Sequence, residues 1–183
     1  MNAPIDISRT ILNTDRLVLR PWRQSDLEDF YEYAKVDGVG QMAGWLPHES
    51  IQTTQTILDS FISGKKTFAL QFESKVIGSL GVETYREEDF PELADQQGRS
   101  IGYVLSKDYW GRGLMPEAVK AVINYLFAEE NLDFLVISHF VWNDRSRRVI
   151  EKCGFSYLRP GQHQTRYGTT EDTLEYILRN PNK

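Results

Sequence analysis

The stretch Ser106-Lys107-Asp108-Tyr109-Trp110-Gly111-Arg112-Gly113-Leu114-Met115-Pro116-Glu117-Ala118 joins a strand end, a glycine turn and a helix start with no residue between them. Upstream, Ile101 to Leu105 reads as a short apolar strand. Downstream, Leu114, Ala118, Val122 and Tyr125, flanked by Met115, Val119, Ile123 and Leu126, recur at helical spacing, with Glu117, Lys120 and Asn124 on the wet face. Pro116 suits the first helical turn, where its missing N–H has no intrahelical partner to lose. The helix therefore begins at the glycines. A helix start leaves backbone N–H groups unpaired and carries partial positive charge, so this turn, with Arg112 in it, suits a phosphate or pyrophosphate. It matches neither the G-x-x-x-x-G-K-[ST] phosphate loop nor the three-glycine dinucleotide fingerprint. Glycine also serves such turns through backbone freedom alone, and this stretch by itself leaves both readings open.

Working outward, Phe134 to Trp142 is apolar on both alternating faces, which describes a covered strand lying parallel to Ile101–Leu105 across the helix. This βαβ unit sets the class as α/β. A short helix from about Arg145 to Lys152 follows, stopped by Gly154, then strands near Phe155–Leu158 and Thr173–Leu178 around the polar turn Tyr167–Asp172. Toward the N-terminus, Arg16–Arg20 is a strand closed by Pro21. Ser25 with Glu28 forms a capping box for a helix bearing Leu27, Phe30, Tyr31 and Ala34. Gly38 to His48 is a loop too apolar to be wholly exposed, suited to line a cleft. Ser50 caps a second helix that Gly64 stops. Thr67–Phe72 and Val76–Tyr85 form a hairpin. Arg86 to Gly98 carries five carboxylates and reads as a solvated loop or, alternatively, as an acidic lip attracting an amine.

The chain has 183 residues, 40% of them apolar, enough for one domain with a core. Residues 1–13 are taken as an N-terminal extension of that domain. No apolar run of about 18 residues crosses a bilayer and no signal peptide is visible, so a cytoplasmic protein without a membrane partner is expected. One cysteine, Cys153, excludes an internal disulfide, and the three histidines lack metal-ligand spacing, so no metal is expected. A net charge of −5 disfavours nucleic acid as a partner.

Together with the opening stretch, Thr14-Asp15-Arg16-Leu17-Val18-Leu19-Arg20-Pro21 and Asn143-Asp144-Arg145-Ser146-Arg147-Arg148-Val149-Ile150-Glu151-Lys152-Cys153-Gly154-Phe155 give the chain a family resemblance. It resembles the GNAT superfamily of acetyl-CoA-dependent N-acetyltransferases, within it the branch of ribosomal-protein N-terminal acetyltransferases, in order, spacing and length from about Asp15 to Leu178. The superfamily's pyrophosphate loop, Q/R-x-x-G-x-G/A, corresponds to Trp110–Met115 here, with Trp110 and Met115 replacing the outer residues. The resemblance implies a mixed twisted sheet of roughly six to seven strands with about four helices. Its parallel pair splays apart, and the pantetheine arm of acetyl-CoA fills the gap. Backbone of Val104, Leu105 and Ser106 would hold the arm, and the amides of Gly111, Arg112, Gly113, Leu114 and Met115, up to Pro116, the pyrophosphate.

The implied chemistry is direct attack of a primary amine on the thioester, the carbonyl being polarised by backbone N–H. The amine belongs to a protein N-terminus or, alternatively, a small molecule; a CoA-binding module without catalysis is the reading from another class. Ser146 matches the thiolate partner and Asn143 an anchor for pantetheine or for backbone at the end of its strand, while helix capping is the structural role open to both. The glutamate that many members carry before the glycine loop is absent, since Gly98-Arg99-Ser100-Ile101 stands there, and Gln164 and Thr165 replace the C-terminal hairpin glutamate of others. Glu83 and Tyr103 are then the candidate proton acceptors. Cys153 reads as a packed small residue or, less simply, a nucleophile. The chain fits a monomer or a homodimer.

Overall fold

The structure, a computed structural model, describes residues 1–183. Its strands are β1 (Leu12–Asn13), β2 (Leu17–Pro21), β3 (Thr67–Phe72), β4 (Lys75–Glu83), β5 (Gly98–Leu105), β6 (Phe134–Phe140), β7 (Ser156–Gln164) and β8 (Thr170–Arg179). They form one sheet in the order β1-β2-β3-β4-β5-β6-β8-β7, antiparallel throughout except for β5 against β6. The sheet has eight strands, not six or seven, because Leu12–Asn13 in the presumed extension adds an edge strand. That extension is also tied down at its start. Asn2 bridges Gly98 and exchanges side-chain hydrogen bonds with the Tyr85 backbone, and Ala3 and Ile7 are buried.

Helices α1 (Leu27–Ala34) and α2 (Ile51–Gly64) cover one face, α3 (Leu114–Ala128) and α4 (Asp144–Lys152) the other. Strand alternation decides which residues meet them. Leu80, Val82, Ile101, Leu135 and Ile137 join α3 in the main core, while Val76, Ala69 and Val104 pack under α1 and α2. A register shift opposite Leu70 and Gln71 leaves Ile77 as an extra residue on β4, which lets Ile77 and Leu80 share the α3 face. Leu80, Leu114 and Leu126 are wholly or almost wholly buried, each worth about 1.5–3 kcal/mol relative to exposure.

Several local expectations change. Ser25 does not cap α1; it sits in a tight turn over Gln24–Asp26, and Asp26 reaches back to the Arg23 N–H at 2.8 Å. Asp26 is fixed there by a bidentate pair with buried Arg20, both contacts 2.8 Å. Ser50 does cap α2, accepting from the Thr53 N–H at 3.2 Å. The left-handed residue ending α2 is Lys65, after Gly64. Strand β6 stops at Phe140, and Val141 and Trp142 are exposed. The C-terminal hairpin is longer than its apolar residues suggest, since Pro160, Gly161 and the polar tips still pair. Residues 86–98 are not a plain solvated loop. Phe90 and Leu93 are buried against Tyr85, Phe134, Val136 and Ile177 on the α1–α2 face. No helix is long and apolar enough to cross a membrane.

Candidate active site

Strands β5 and β6 pair only through Gly98–Phe134, Arg99–Leu135 and Ser100–Val136. Beyond them β5 stays with β4 and β6 turns with β8, so the parallel pair opens as a V. In an antiparallel pair every second residue directs its backbone to its partner. Ser106 donates to Ile77 O at 2.7 Å, so Ser106, and by alternation Val104, point toward β4. Tyr103 and Leu105 therefore present their N–H and C=O groups to the gap. Of the three residues expected to hold an extended arm, Leu105 alone has the right orientation. Its carbonyl already accepts from Trp110 Nε1 at 2.8 Å.

At the open end of the V, Gly111 and Gly113 both adopt left-handed backbone, φ +77° and +76°, where a side chain is strained. The amides of Gly111, Arg112, Gly113, Leu114 and Met115 donate to no protein group, and a Cβ on Gly111 would meet nothing within 4 Å. Five unpaired amides around two glycines at a helix start make a cradle for a diphosphate. The turn is braced from below. Arg16 donates to the Arg112 carbonyl at 2.9 Å and pairs with Glu117, whose other oxygen takes the Thr14 hydroxyl at 2.6 Å. Arg112 stacks on Tyr109 and Arg145 on Trp110, at 5.0 and 4.8 Å, so cationic groups ring the turn of an otherwise acidic chain.

On the α3–α4 face, Tyr103 reaches across the gap to α4, its hydroxyl 2.9 Å from Ser146 Oγ and 3.3 Å from Ser146 O. Burial raises the Tyr103 phenol well above its ordinary range, so it keeps its proton. It also lies on the face opposite α1 and α2. Both facts remove Tyr103 as a proton acceptor for an amine approaching from the α1–α2 side. Asn143 bonds the protein at both ends: Oδ1 accepts from the Ser146 N–H at 3.1 Å and Nδ2 donates to Met42 O at 3.2 Å. It caps the helix and fastens the Gly40–Ala43 turn, so it anchors backbone at the end of β6. Cys153 is buried with its thiol pushed up to about 11 by desolvation, which excludes it as a nucleophile near neutral pH.

The α1–α2 face carries the other half of the site. Gly102 is exposed there, with open space above it. Glu83 flanks it from β4, its Oε1 only 2.6 Å from where a Gly81 Cβ would stand, and its other oxygen pairs with Lys66 at 2.5 Å. On the far side of the V, Glu175 of β8 sits opposite Ser138 of β6 and pairs with Arg159 at 2.7 Å. Its Oε1 occupies the space a Gly161 Cβ would need, 2.7 Å away. Each carboxylate thus lies over a glycine. Glu175 also borders an open depression of about 510 Å³ whose wall is mostly charged and polar: Arg86, Asp89, Arg159, Gln162 and Asp172. The Gly40–Ala43 turn closes the opposite side, where Gly44 O accepts from the Arg166 N–H and Gly44 lies against His163 and Phe140. Glu175 was not anticipated, although alternation through Thr173, Glu175 and Ile177 marks one face.

An open V, a free-amide turn at its mouth and an accessible face beside it give this chain room for an extended, diphosphate-bearing ligand. Residues 16–156 match the acetyltransferase (GNAT) domain, and the chain belongs to that family of N-acetyltransferases, with acetyl-CoA as acyl donor. It is 30% identical over 181 residues to the uncharacterized N-acetyltransferase YoaA of Bacillus subtilis (strain 168), covering 93% of this chain and 97% of that one. Among solved structures, the microcin C7 self-immunity acetyltransferase MccE, in complex with acetyl-CoA and AMP, superposes with a TM-score of 0.76 at 17% identity, over 95% and 99% of the two chains. A ribosomal-protein-S5-alanine acetyltransferase from Vibrio fischeri gives 0.72 at 21% identity, over 94% and 98%.

Proposed function

We propose that this enzyme acetylates the α-amino group of a peptide or protein N-terminus. The observation that carries this reading is the acceptor face. Two carboxylates on that face, Glu83 and Glu175, are each engaged by a cation, Lys66 and Arg159. An acceptor that arrives partly neutral suits such a site. An α-amine, with a pKa near about 8, does so at pH 7, whereas a lysine near about 10.4 does not. The depression beside Glu175, about 510 Å³, is polar and largely open to solvent, which leaves room for a chain to continue beyond its first residue. One protein of this fold acts on ribosomal protein S5, so the fold accommodates a protein acceptor.

Acetyl-CoA supplies the activated acetyl group. The amides of Gly111 to Met115 hold its diphosphate, and Leu105 and Tyr103 hold the arm through their main chain. The neutral form of the acceptor amine attacks from the side of Gly102, and the proton it loses passes to water, since Glu83 and Glu175 are each already engaged by a cation. Ser146 faces the departing sulfur from the helical side. No side chain forms a covalent bond with the acetyl group.

The test is free-thiol release with acetyl-CoA and a matched panel: peptides with free or blocked N-termini, lysine-bearing peptides with blocked N-termini, amino acids, polyamines and aminoglycosides. Turnover confined to free peptide N-termini is expected. Faster turnover of a small amine would overturn the reading, and CoA binding without turnover of any amine would mark a binding module.

A further inference from the structure

One side-chain contact across the open V joins two hydroxyls. Tyr103 projects from β5 and Ser146 from the first turn of α4, which follows the diverging β6, so the pair spans the gap in which the thioester arm lies. We propose that Tyr103 is a positioning residue for the leaving thiolate: its phenol donates to Ser146 Oγ and thereby directs the serine's own hydrogen at the sulfur of CoA. The inference rests on the acetyl-transfer reading above but not on the identity of the acceptor.

The direction of the contact follows from chemistry. A phenol is a stronger donor and a weaker acceptor than an aliphatic alcohol. Both nearby acceptors, Ser146 Oγ at 2.9 Å and Ser146 O at 3.3 Å, belong to the same residue, so the phenol hydrogen lies between them. The serine main chain is held separately by Asn143 Oδ1 on its N–H. With one lone pair of Oγ occupied by Tyr103 and the backbone fixed by Asn143, the hydroxyl hydrogen is left to turn into the gap. Burial of the phenol keeps it protonated through the cycle, as a permanent donor must be.

In the reaction the amine nitrogen bonds to the acetyl carbon, the carbon–sulfur bond breaks, and its electron pair stays on sulfur. The ammonium proton goes to solvent. Ser146 stabilises the thiolate by a hydrogen bond, and solvent later supplies its proton, so neither hydroxyl changes its charge.

The experiment titrates the thiol of CoA bound to the full chain, followed by thiolate ultraviolet absorbance, alongside kcat and KM for acetyl-CoA. Donation to sulfur favours the anion, so bound CoA should ionise at lower pH than free CoA. Tyr103→Phe should raise that inflection by about half a pH unit. It should also lower kcat roughly tenfold with little change in KM. Ser146→Ala should raise the inflection further, and adding Tyr103→Phe to it should change nothing more, since the tyrosine acts only through the serine. Placing 3-fluorotyrosine at position 103 keeps the shape, strengthens the donor, and should move the inflection downward, which covers a Tyr103→Phe chain that fails to fold. An inflection identical to wild type in either altered protein, or an additive loss in the Ser146→Ala background, overturns the proposal. The titration needs CoA alone. A normal shift in a protein that acetylates no N-terminus would therefore refute the acceptor reading and leave this one standing.

Discussion

Replacing Gly113 by valine tests the glycine turn, because the structure separates its cost to folding from its cost to binding. A Cβ at Gly113 would meet only Arg16 Nη2, at an ordinary 3.6 Å, so crowding contributes little. The penalty is conformational: φ is +76°, and a non-glycine residue there costs about 1–2 kcal/mol, with a β-branched one at the upper end. For a chain of this size that corresponds to a melting point lower by roughly 2–8 °C. The fold can relieve the strain by turning the peptide, which withdraws amides from the cradle at Gly111 to Met115. A hydrogen bond from an amide to a charged oxygen is worth about 1.5–3 kcal/mol, so losing two weakens CoA binding by roughly 10²- to 10⁴-fold. Titration calorimetry with CoA, paired with thermal unfolding, gives both quantities. A folded variant that binds CoA as tightly as wild type would falsify the assignment of this turn. So would a loss of affinity no larger than the loss of stability.

Gly102→Val should leave CoA affinity nearly unchanged while lowering kcat/KM for the amine at least tenfold, roughly; the space above Gly102 is open and its φ is not left-handed, so folding tolerates the change. Unaltered amine kinetics would move the acceptor elsewhere. Cys153 should react with a disulfide reagent at pH 8 far more slowly in the native than in the denatured chain, its thiol being buried and shifted up to about 11; equal rates would contradict that burial. Glu117 is held below its ordinary 4.5: burial opposes the shift, but hydrogen bonds from Thr14 and Arg16 outweigh it. Its stabilisation is complete above about 4.5 and is lost as pH falls through the lower folded value. Glu117→Gln should therefore flatten the acid limb of thermal stability and weaken CoA binding at neutral pH by loosening Arg16 beneath the turn; an acid limb superimposable on wild type would remove Glu117 from the brace.

The βαβ unit was legible because its signals are local: apolar runs, glycines and a proline within a few residues of one another. The splay was implied by family resemblance, and the pairing of only three residue positions matches it. What escaped the sequence depends on register. Glu83 and Tyr103 are equally good candidates in one dimension, and only the pairing of Glu83 with Ser100 and of Tyr103 with Leu80 places them on opposite faces. The extra residue at Ile77 shifts alternation along β4, so counting outward from the hairpin turn assigns the faces wrongly. Asn143 and Ser146 read as cap or ligand partner; coordinates were needed to find both ends of the Asn143 amide occupied. Ser25–Glu28 satisfied the capping pattern, yet Arg20, six residues upstream on β2, recruited Asp26 instead. Phe90 and Leu93 were hidden among carboxylates, whose charge dominates any reading of composition.

The alternating orientation of β5 gives the strand an isotopic signature. The amides of Val104 and Ser106 face β4 and should exchange their hydrogens only when the sheet opens, whereas those of Tyr103 and Leu105 face the gap and should exchange almost as fast as solvent allows. Along four consecutive residues, protection would read low, high, low, high. An arm bound in the gap as proposed would pair the two unprotected amides and make the comb uniform. Deuterium uptake at single-residue resolution therefore reports occupancy of the V directly, with no need for an acceptor or for turnover.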